Sequence, residues 1–294
     1  MDYINSIIQG IIQGLTEFLP VSSSGHLALY QYFTSGNGMG ADNADTLLSI
    51  VLHLGTLFAV FFAFRKRIGA LIVEFFSAIK DIFTGKFSFK TMNNNRRMLV
   101  MLVVACVPLL VILFVKDYVE NIANYPLGLA CCFLVTAVLL FCAHRKSKKE
   151  DGSDVVKLKN GIAVGVAQAI ATLPGVSRSG ATTSAGLFTG LDKQTAIEFS
   201  FILGIPAILG AAVLEIKDTV EAGASDVNVL ALLVGMVVAA VVGYLAIKGL
   251  EYILKKNKFS IFAIYTLVLG VLVFAEGIYE LIAGRTIFQA IGLI

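Results

Sequence analysis

The strongest constraint on this chain is a series of apolar runs about 20 residues long, the length that crosses a bilayer as a helix. They fall at 44–64, 98–115, 125–143, 193–216, 228–249 and 259–283, with charged loops between them. Inside hydrocarbon every backbone N–H and C=O needs a partner from the chain itself, which an α-helix supplies within one segment. Hydrophobic residues make up 57% of the 294 and charged residues only 15%, where a soluble domain carries about a quarter. The expected class is an all-α polytopic membrane protein. The net charge of +3 is spread over loops and points to no nucleic acid. Cys106, Cys131, Cys132 and Cys142 all lie in apolar runs without metal-binding spacing, so they read as small core hydrophobes. No basic segment precedes the first apolar run, which Gln13 and Glu17 interrupt, so no cleaved signal peptide is expected.

Two stretches do not fit a simple span. Gln13–His26 reads Q-G-L-T-E-F-L-P-V-S-S-S-G-H, and Leu173–Thr183 reads L-P-G-V-S-R-S-G-A-T-T. Each joins two short helices through a break rich in Pro, Ser and Gly, the pattern of a re-entrant hairpin; such backbone is tolerated at depth where protein or a watery cavity surrounds it. The hairpins are placed at 4–33 and 160–189. Ile68–Phe83 reads as an amphipathic or second short hairpin element, and 116–124 as a short turn. The chain then divides into residues 1–143 (hairpin and three spans), a cytoplasmic linker at 144–159, and residues 160–294 (hairpin and three spans). Most lysines and arginines fall at 65–97, 144–159, Lys193 and 248–258, leaving Lys116, Lys217 and Arg285 for the other side and Arg178 inside the second hairpin. The positive-inside rule puts the first set in the cytoplasm and both termini outside. An odd number of spans per half inverts the second half relative to the first. The sequence carries the same repeat: Gly10, Gly14 and Glu17 match Gly161, Gly165 and Gln168, and Ser22-Ser23-Ser24-Gly25 matches Ser177-Arg178-Ser179-Gly180 after short gaps. Inverted repeats put a site near the midplane, where broken helices meet. The tips at Pro20 and Pro174 should therefore touch.

The polar residues at the breaks suit phosphate chemistry. Gln13 and Glu17 share a helix face, and an ionisable group in a span is costly unless partnered. Its candidate partners are Arg178, His26 and a divalent cation. Ser23 and His26 lie one turn apart at a helix start, where free N–H groups and the helix dipole favour an anion. Ser22, Ser24, Ser177 and Ser179 can bind phosphate or merely cap helices. Arg178 offers a planar fork to phosphoryl oxygens, with Thr182 on the same face. His53 and Glu198 are balanced between lining the site and packing, and Gly204–Pro206 and Glu276 have weaker claims. Small residues such as Gly235 and Gly243 can pack spans within one chain or between the copies of a homodimer.

At the two breaks the chain resembles the undecaprenyl-pyrophosphate phosphatase (BacA) family. That family is marked by (E/Q)-x3-E running into L-P-V-S-S-[ST]-G-H, and by P-G-x-S-R-S-G-x-T. Here these are Gln13 and Glu17, Leu19–His26, and Pro174–Thr182, with further likeness at Ala196–Phe201 and Phe262–Tyr265. The resemblance implies a cell-membrane enzyme that hydrolyses a polyprenyl diphosphate lipid and so recycles the carrier for peptidoglycan, with bacitracin resistance. It implies a divalent-cation dependence and functional roles at Gln13, Glu17, Ser23, His26, Ser177, Arg178 and Thr182; we expect Glu17, Ser23, His26 and Arg178 to be catalytic, Ser22, Ser24, Ser177, Ser179 and Thr182 to bind substrate, and Glu17 with Gln13 to hold Mg²⁺ or Ca²⁺, or Glu17 to act as base. The family often carries Gln in place of His53, so His53 is not expected to be the family's catalytic histidine. The nucleophile is Ser23 activated by His26, His26 itself, or water; motif spacing does not separate these. The site is expected to open to the outer face. The competing reading is a lipid flippase or transporter, because paired broken helices also build transporters. A type-2 phosphatidic-acid phosphatase is disfavoured, since no histidine follows Arg178.

Overall fold

A computed structural model of the chain describes residues 2–35, 43–89, 91–112, 114, 119, 122, 125–147, 152–221, 228–256, 258–284 and 286–290. The turn expected at 116–124 lies almost wholly outside these residues, as does part of the linker at 144–159.

The described chain is helical. In order, the elements are α1 (Tyr3–Phe18), α2 (Ser23–Ser35), α3 (Asn43–Ala63), α4 (Arg65–Phe83), α5 (Asn94–Cys106), α6 (Leu109–Ile112), α7 (Pro126–Ser147), α8 (Leu158–Ile170), α9 (Arg178–Phe188), α10 (Lys193–Glu221), α11 (Val229–Lys255), α12 (Ser260–Ala283) and α13 (Ile287–Ala290). Six segments among the described residues are long and apolar enough to cross a membrane: Thr46–Ala63, Asn94–Ile112, Pro126–Ser147, Lys193–Ile216, Val229–Lys255 and Ser260–Ala283. They coincide with the six expected runs, and many of their large apolar side chains face outward, among them Val103, Val138, Val213, Leu245 and Leu272.

Local chemistry sets the ends. The Asp2 carboxylate caps α1, accepting from the Ile4 N–H, and Pro20 biases the residue before it away from helical geometry, so α1 stops there. Asn93, Ser177 and Asn228 cap α5, α9 and α11 through their side chains. Gly284, with φ +66°, closes α12 in the left-handed region. Two features differ from expectation. The second run is interrupted between Cys106 and Leu109, because Pro108 has no N–H to continue the ladder. Of the two alternatives for 68–83, the hairpin is not formed: Arg65–Phe83 is one continuous helix. Helix α4 buries only Ile68, Leu71 and Glu74, and Arg96 ties it to α5 through Glu74 and Asp81, each at 2.6 Å.

Packing places the breaks. Helix α1 lies along α11, and α8 lies along α5; α7 pairs with α12; α3 packs on both α10 and α11, and α5 on α10. Matching α1, α3, α5 and α7 in chain order with α8, α10, α11 and α12, the contact α1/α11 corresponds to α8/α5, while α7/α12 and α3/α10 correspond to themselves. The small residues fit the close approaches: a Cβ on Gly14 would come within 2.9 Å of the Ala239 carbonyl oxygen, and one on Gly165 within 2.6 Å of the Ala105 carbonyl oxygen. Gly235 and Gly243 pack inside the chain, facing Ser6 with Leu52, and Phe18 with Ala59. The largest apolar core runs from Phe18 through Phe199, Phe201 and Leu203 to Phe262.

Candidate active site

The two breaks touch. The Ser179 hydroxyl donates to the Leu19 carbonyl at 3.4 Å. A Cβ on Gly25 would lie 3.1 Å from the Gly175 Cα, and one on Gly180 3.2 Å from the Pro20 Cβ. Both breaks have the same internal wiring. Ser22 and Ser24 hydroxyls are 3.3 Å apart and the Gly25 N–H donates to Ser22 Oγ. Ser177 and Ser179 hydroxyls are 3.2 Å apart and the Gly180 N–H donates to Ser177 Oγ. These caps leave the second residue of each Ser-x-Ser-Gly, Ser23 and Arg178, free to reach inward.

Both reach Glu17. The Ser23 hydroxyl donates to Glu17 Oε2 at 2.6 Å, and Arg178 Nη2 donates to Glu17 Oε1 at 2.6 Å. Gln13, one turn before, donates Nε2 to Oε2 at 2.9 Å. His53 Nε2 stands 3.8 Å from Oε2 while its Nδ1–H donates to the Ser49 carbonyl. Glu17 is only 6% exposed and Gln13 fully buried. A carboxylate so enclosed requires a countercharge, and Arg178 supplies it. Within the cluster around Glu17, two buried polar atoms remain without a protein partner: Arg178 Nη1 and Gln13 Oε1. The guanidinium is confined by Gly204 of α10, where a Cβ would lie 1.8 Å from Nη1.

The expected pairing of Ser23 with His26 is not made. Ser22 has a left-handed backbone, φ +73°, which is rare outside glycine. Its carbonyl faces back onto α2, where it accepts from His26 Nδ1 at 2.7 Å, and His26 Nε2 meets the Tyr265 hydroxyl at 2.7 Å. Ser23 is instead bonded to the carboxylate. Thr182 is fully buried, donating to the Arg178 carbonyl at 2.7 Å and paired with Ser200 at 2.5 Å. It therefore supports the first turn of α9. Ser24 is exposed beside Ser22. Glu198 lies away from this cluster, 3.5 Å from Arg67.

Three residues were absent from the sequence-based set or weakly placed there. Thr136 of α7 accepts the Ser177 N–H and donates to the Gly175 carbonyl, pinning the second break; a buried polar residue in an apolar run was its only signal. Gly204 sits inside a span and was signalled only by the adjacent Gly204–Pro206 pattern. Tyr265 lies on a span 239 residues from its partner, and no local pattern reveals that contact.

The oxygen donors fit a hard divalent cation. Because Gln13 gives its N–H to Glu17, its Oε1 is the end left over, and Glu17 and Ser23 add oxygens beside it. No group of three His, Cys, Asp or Glu side chains forms a cation site among the described residues. One carboxylate and an amide oxygen suit the mode in which substrate phosphates complete the shell.

Known proteins are similar to this chain over most of its length. The family described as bacitracin resistance protein BacA matches residues 6–272. An undecaprenyl-diphosphatase of Methanobrevibacter smithii is 42% identical over 284 residues, covering 96% of this chain and all of the relative. One of Alkaliphilus metalliredigens is 40% identical over 275 residues, 93% of this chain and 98% of its own length. Undecaprenyl-diphosphatase 4 of Bacillus cereus is 36% identical over 274 residues, 93% and 96% of the two chains. Helical spans, two matched breaks and a family match over nearly all of the sequence lead to one conclusion: this chain belongs to the bacitracin resistance protein BacA family.

Proposed function

We propose that the protein is a membrane-embedded undecaprenyl-diphosphatase, which hydrolyses the lipid diphosphate to undecaprenyl phosphate and phosphate and thereby recycles the carrier for wall-polymer synthesis. The observation that carries this is the meeting of Ser23 and Arg178, from opposite breaks, on the buried Glu17.

The chemistry follows from the residues. The starts of α2 and α9 and the unpartnered Nη1 of Arg178 receive the phosphoryl oxygens and stabilise charge as it develops. Glu17 takes the proton of Ser23 as Oγ attacks the terminal phosphorus, the bond to the bridging oxygen breaks, and the prenyl phosphate leaves with that proton, returning Glu17 to the carboxylate. Water then attacks the phosphoseryl group; Glu17 accepts its proton and returns it to Oγ as the P–Oγ bond breaks, so phosphate is released and both Ser23 and the carboxylate are restored. The rival is direct attack by water on the diphosphate with Glu17 as base. His26, one turn after Ser23 on α2, is bonded through Nδ1 and Nε2 to Ser22 and Tyr265. A divalent cation held by Gln13 Oε1 and Glu17 would neutralise the diphosphate and polarise its P–O bonds.

The architecture belongs to the same proposal: an inverted repeat of residues 1–143 and 160–294, each a re-entrant hairpin plus three spans. The exchange of helix partners between halves and the shared wiring of the two breaks support it. Both termini and the mouth of the site lie on the outer face, where spent carrier is released. Purified protein in detergent should liberate phosphate from undecaprenyl diphosphate, and Glu17→Ala should abolish it. Lipid movement between leaflets without phosphate release would favour a flippase and overturn the proposal.

A further inference from the structure

His26 is gripped from three sides. Its Nδ1 lies 2.7 Å from the Ser22 carbonyl, an acceptor only, so Nδ1 carries the hydrogen and the neutral ring keeps its lone pair on Nε2. Nε2 lies 2.7 Å from the Tyr265 hydroxyl, which must donate. The two rings are also nearly parallel, at 7° with centroids 5.7 Å apart, and Phe133 meets the imidazole edge-on at 5.6 Å. Ser22 reaches this position only through its left-handed backbone, a conformation retained where the surroundings impose it. Gly25 supplies the remaining room, since a Cβ there would strike Phe133 at 2.5 Å. The grip therefore joins the first break to α12 of the other half. Tyr265 itself is 46% exposed on the outside of its helix.

We infer that Tyr265 is a positioning residue for His26: with the tautomer set by the Ser22 carbonyl, the Tyr265 hydroxyl donating to Nε2 and the tyrosine ring fix the plane in which the imidazole is held at the first break. This rests on the proposed phosphatase reading. The tyrosine holds the ring through two contacts that can be separated. Tyr265→Phe keeps the stacked ring and removes only the hydrogen bond, and Tyr265→Leu removes both. A hydrogen bond of this kind corresponds to about a threefold to tenfold change in rate.

The test combines phosphate-release kinetics with ¹⁵N spectra of histidine-labelled protein in detergent, the His26 signals being assigned by their loss in His26→Gln. In the unsubstituted protein, His26 should show a protonated Nδ1 and a hydrogen-bonded Nε2. Tyr265→Phe should move Nε2 toward the unbonded value and lower kcat about threefold to tenfold, with KM and Tm little changed. Tyr265→Leu should lower kcat further. Unchanged His26 signals and kcat in Tyr265→Phe would overturn the inference. So would a kcat loss that merely tracks a fall in Tm, with His26 signals unchanged. Absence of phosphate release from the unsubstituted protein would overturn the phosphatase reading itself, while the spectra would still report on the grip.

Discussion

Replacing Gly204 with alanine should silence the enzyme while leaving it folded. The added Cβ would lie 1.8 Å from Arg178 Nη1, 2.8 Å from Cζ and 3.0 Å from Nη2. Carbon and nitrogen cannot approach so closely, so the guanidinium must withdraw by an ångström or more. It is the flexible end of a side chain, so the backbone need not move. What is lost is its place: the 2.6 Å bond to Glu17 and the aim of Nη1. A charge-assisted hydrogen bond is worth about 1.5–3 kcal/mol, which corresponds to roughly 10- to 160-fold in kcat/KM. A displacement of one ångström in a positioning group can itself cost about 100-fold. Gly210, on the same helix with nothing within 4 Å of its Cβ position, is the control: Gly210→Ala should keep activity and gain slightly in Tm through helix propensity. The assay is phosphate release from undecaprenyl diphosphate in detergent, with Tm measured alongside. Gly204→Ala with kcat/KM within about twofold of the parent, and an unchanged Tm, would refute the claim that Arg178 works from this seat.

Other outcomes follow from the same contacts. Arg178→Lys should lose most activity, because one ammonium cannot hold Glu17 and offer a second fork to phosphate; near-normal turnover would remove the fork from the account. Thr136→Val should lower unfolding stability by about 1–3 kcal/mol, because it strands the Ser177 N–H and the Gly175 carbonyl in a buried place; denaturant titration of phosphate release measures it, and an unchanged midpoint would show that the pin is dispensable. Rapid quench with labelled diphosphate should trap phosphate on Ser23; label on His26 would replace Ser23 as nucleophile, and no label under competent quenching would favour water. In protein with its own four cysteines replaced, Ser24→Cys should react with an impermeant thiol reagent from the outer side; labelling only from the cytoplasm would reverse the proposed opening.

The spans and the two breaks were readable from the sequence because their causes are local. A run of apolar residues makes a helix, and a Pro/Ser/Gly cluster inside it makes a break. Glu17 and Arg178 were readable as partners because an isolated charge in hydrocarbon demands one. The interruption at Pro108 is also local, yet it was missed, because the surrounding hydropathy continues on both sides. The geometry around His26 was not local. Spacing put it one turn from Ser23, but the left-handed Ser22 turned a carbonyl under the imidazole, and Tyr265 met its other nitrogen from a distant helix. Gly204 and Thr136 escaped for a related reason: each acts by how closely another segment approaches it, and approach distance is a property of packing. His53 was undecided from sequence; it stands beside Glu17 with Nε2 toward the carboxylate.

The central claim is that Ser23 and Arg178 form one unit through Glu17, although they come from different halves of the chain. A double-mutant cycle in kcat/KM tests this directly, using Ser23→Ala, Arg178→Gln and the pair. Residues that act as a unit are strongly non-additive. Each single substitution should therefore cost nearly as much as both together. Losses that simply multiply would mean that the two breaks contribute independently, and would contradict a shared centre on Glu17.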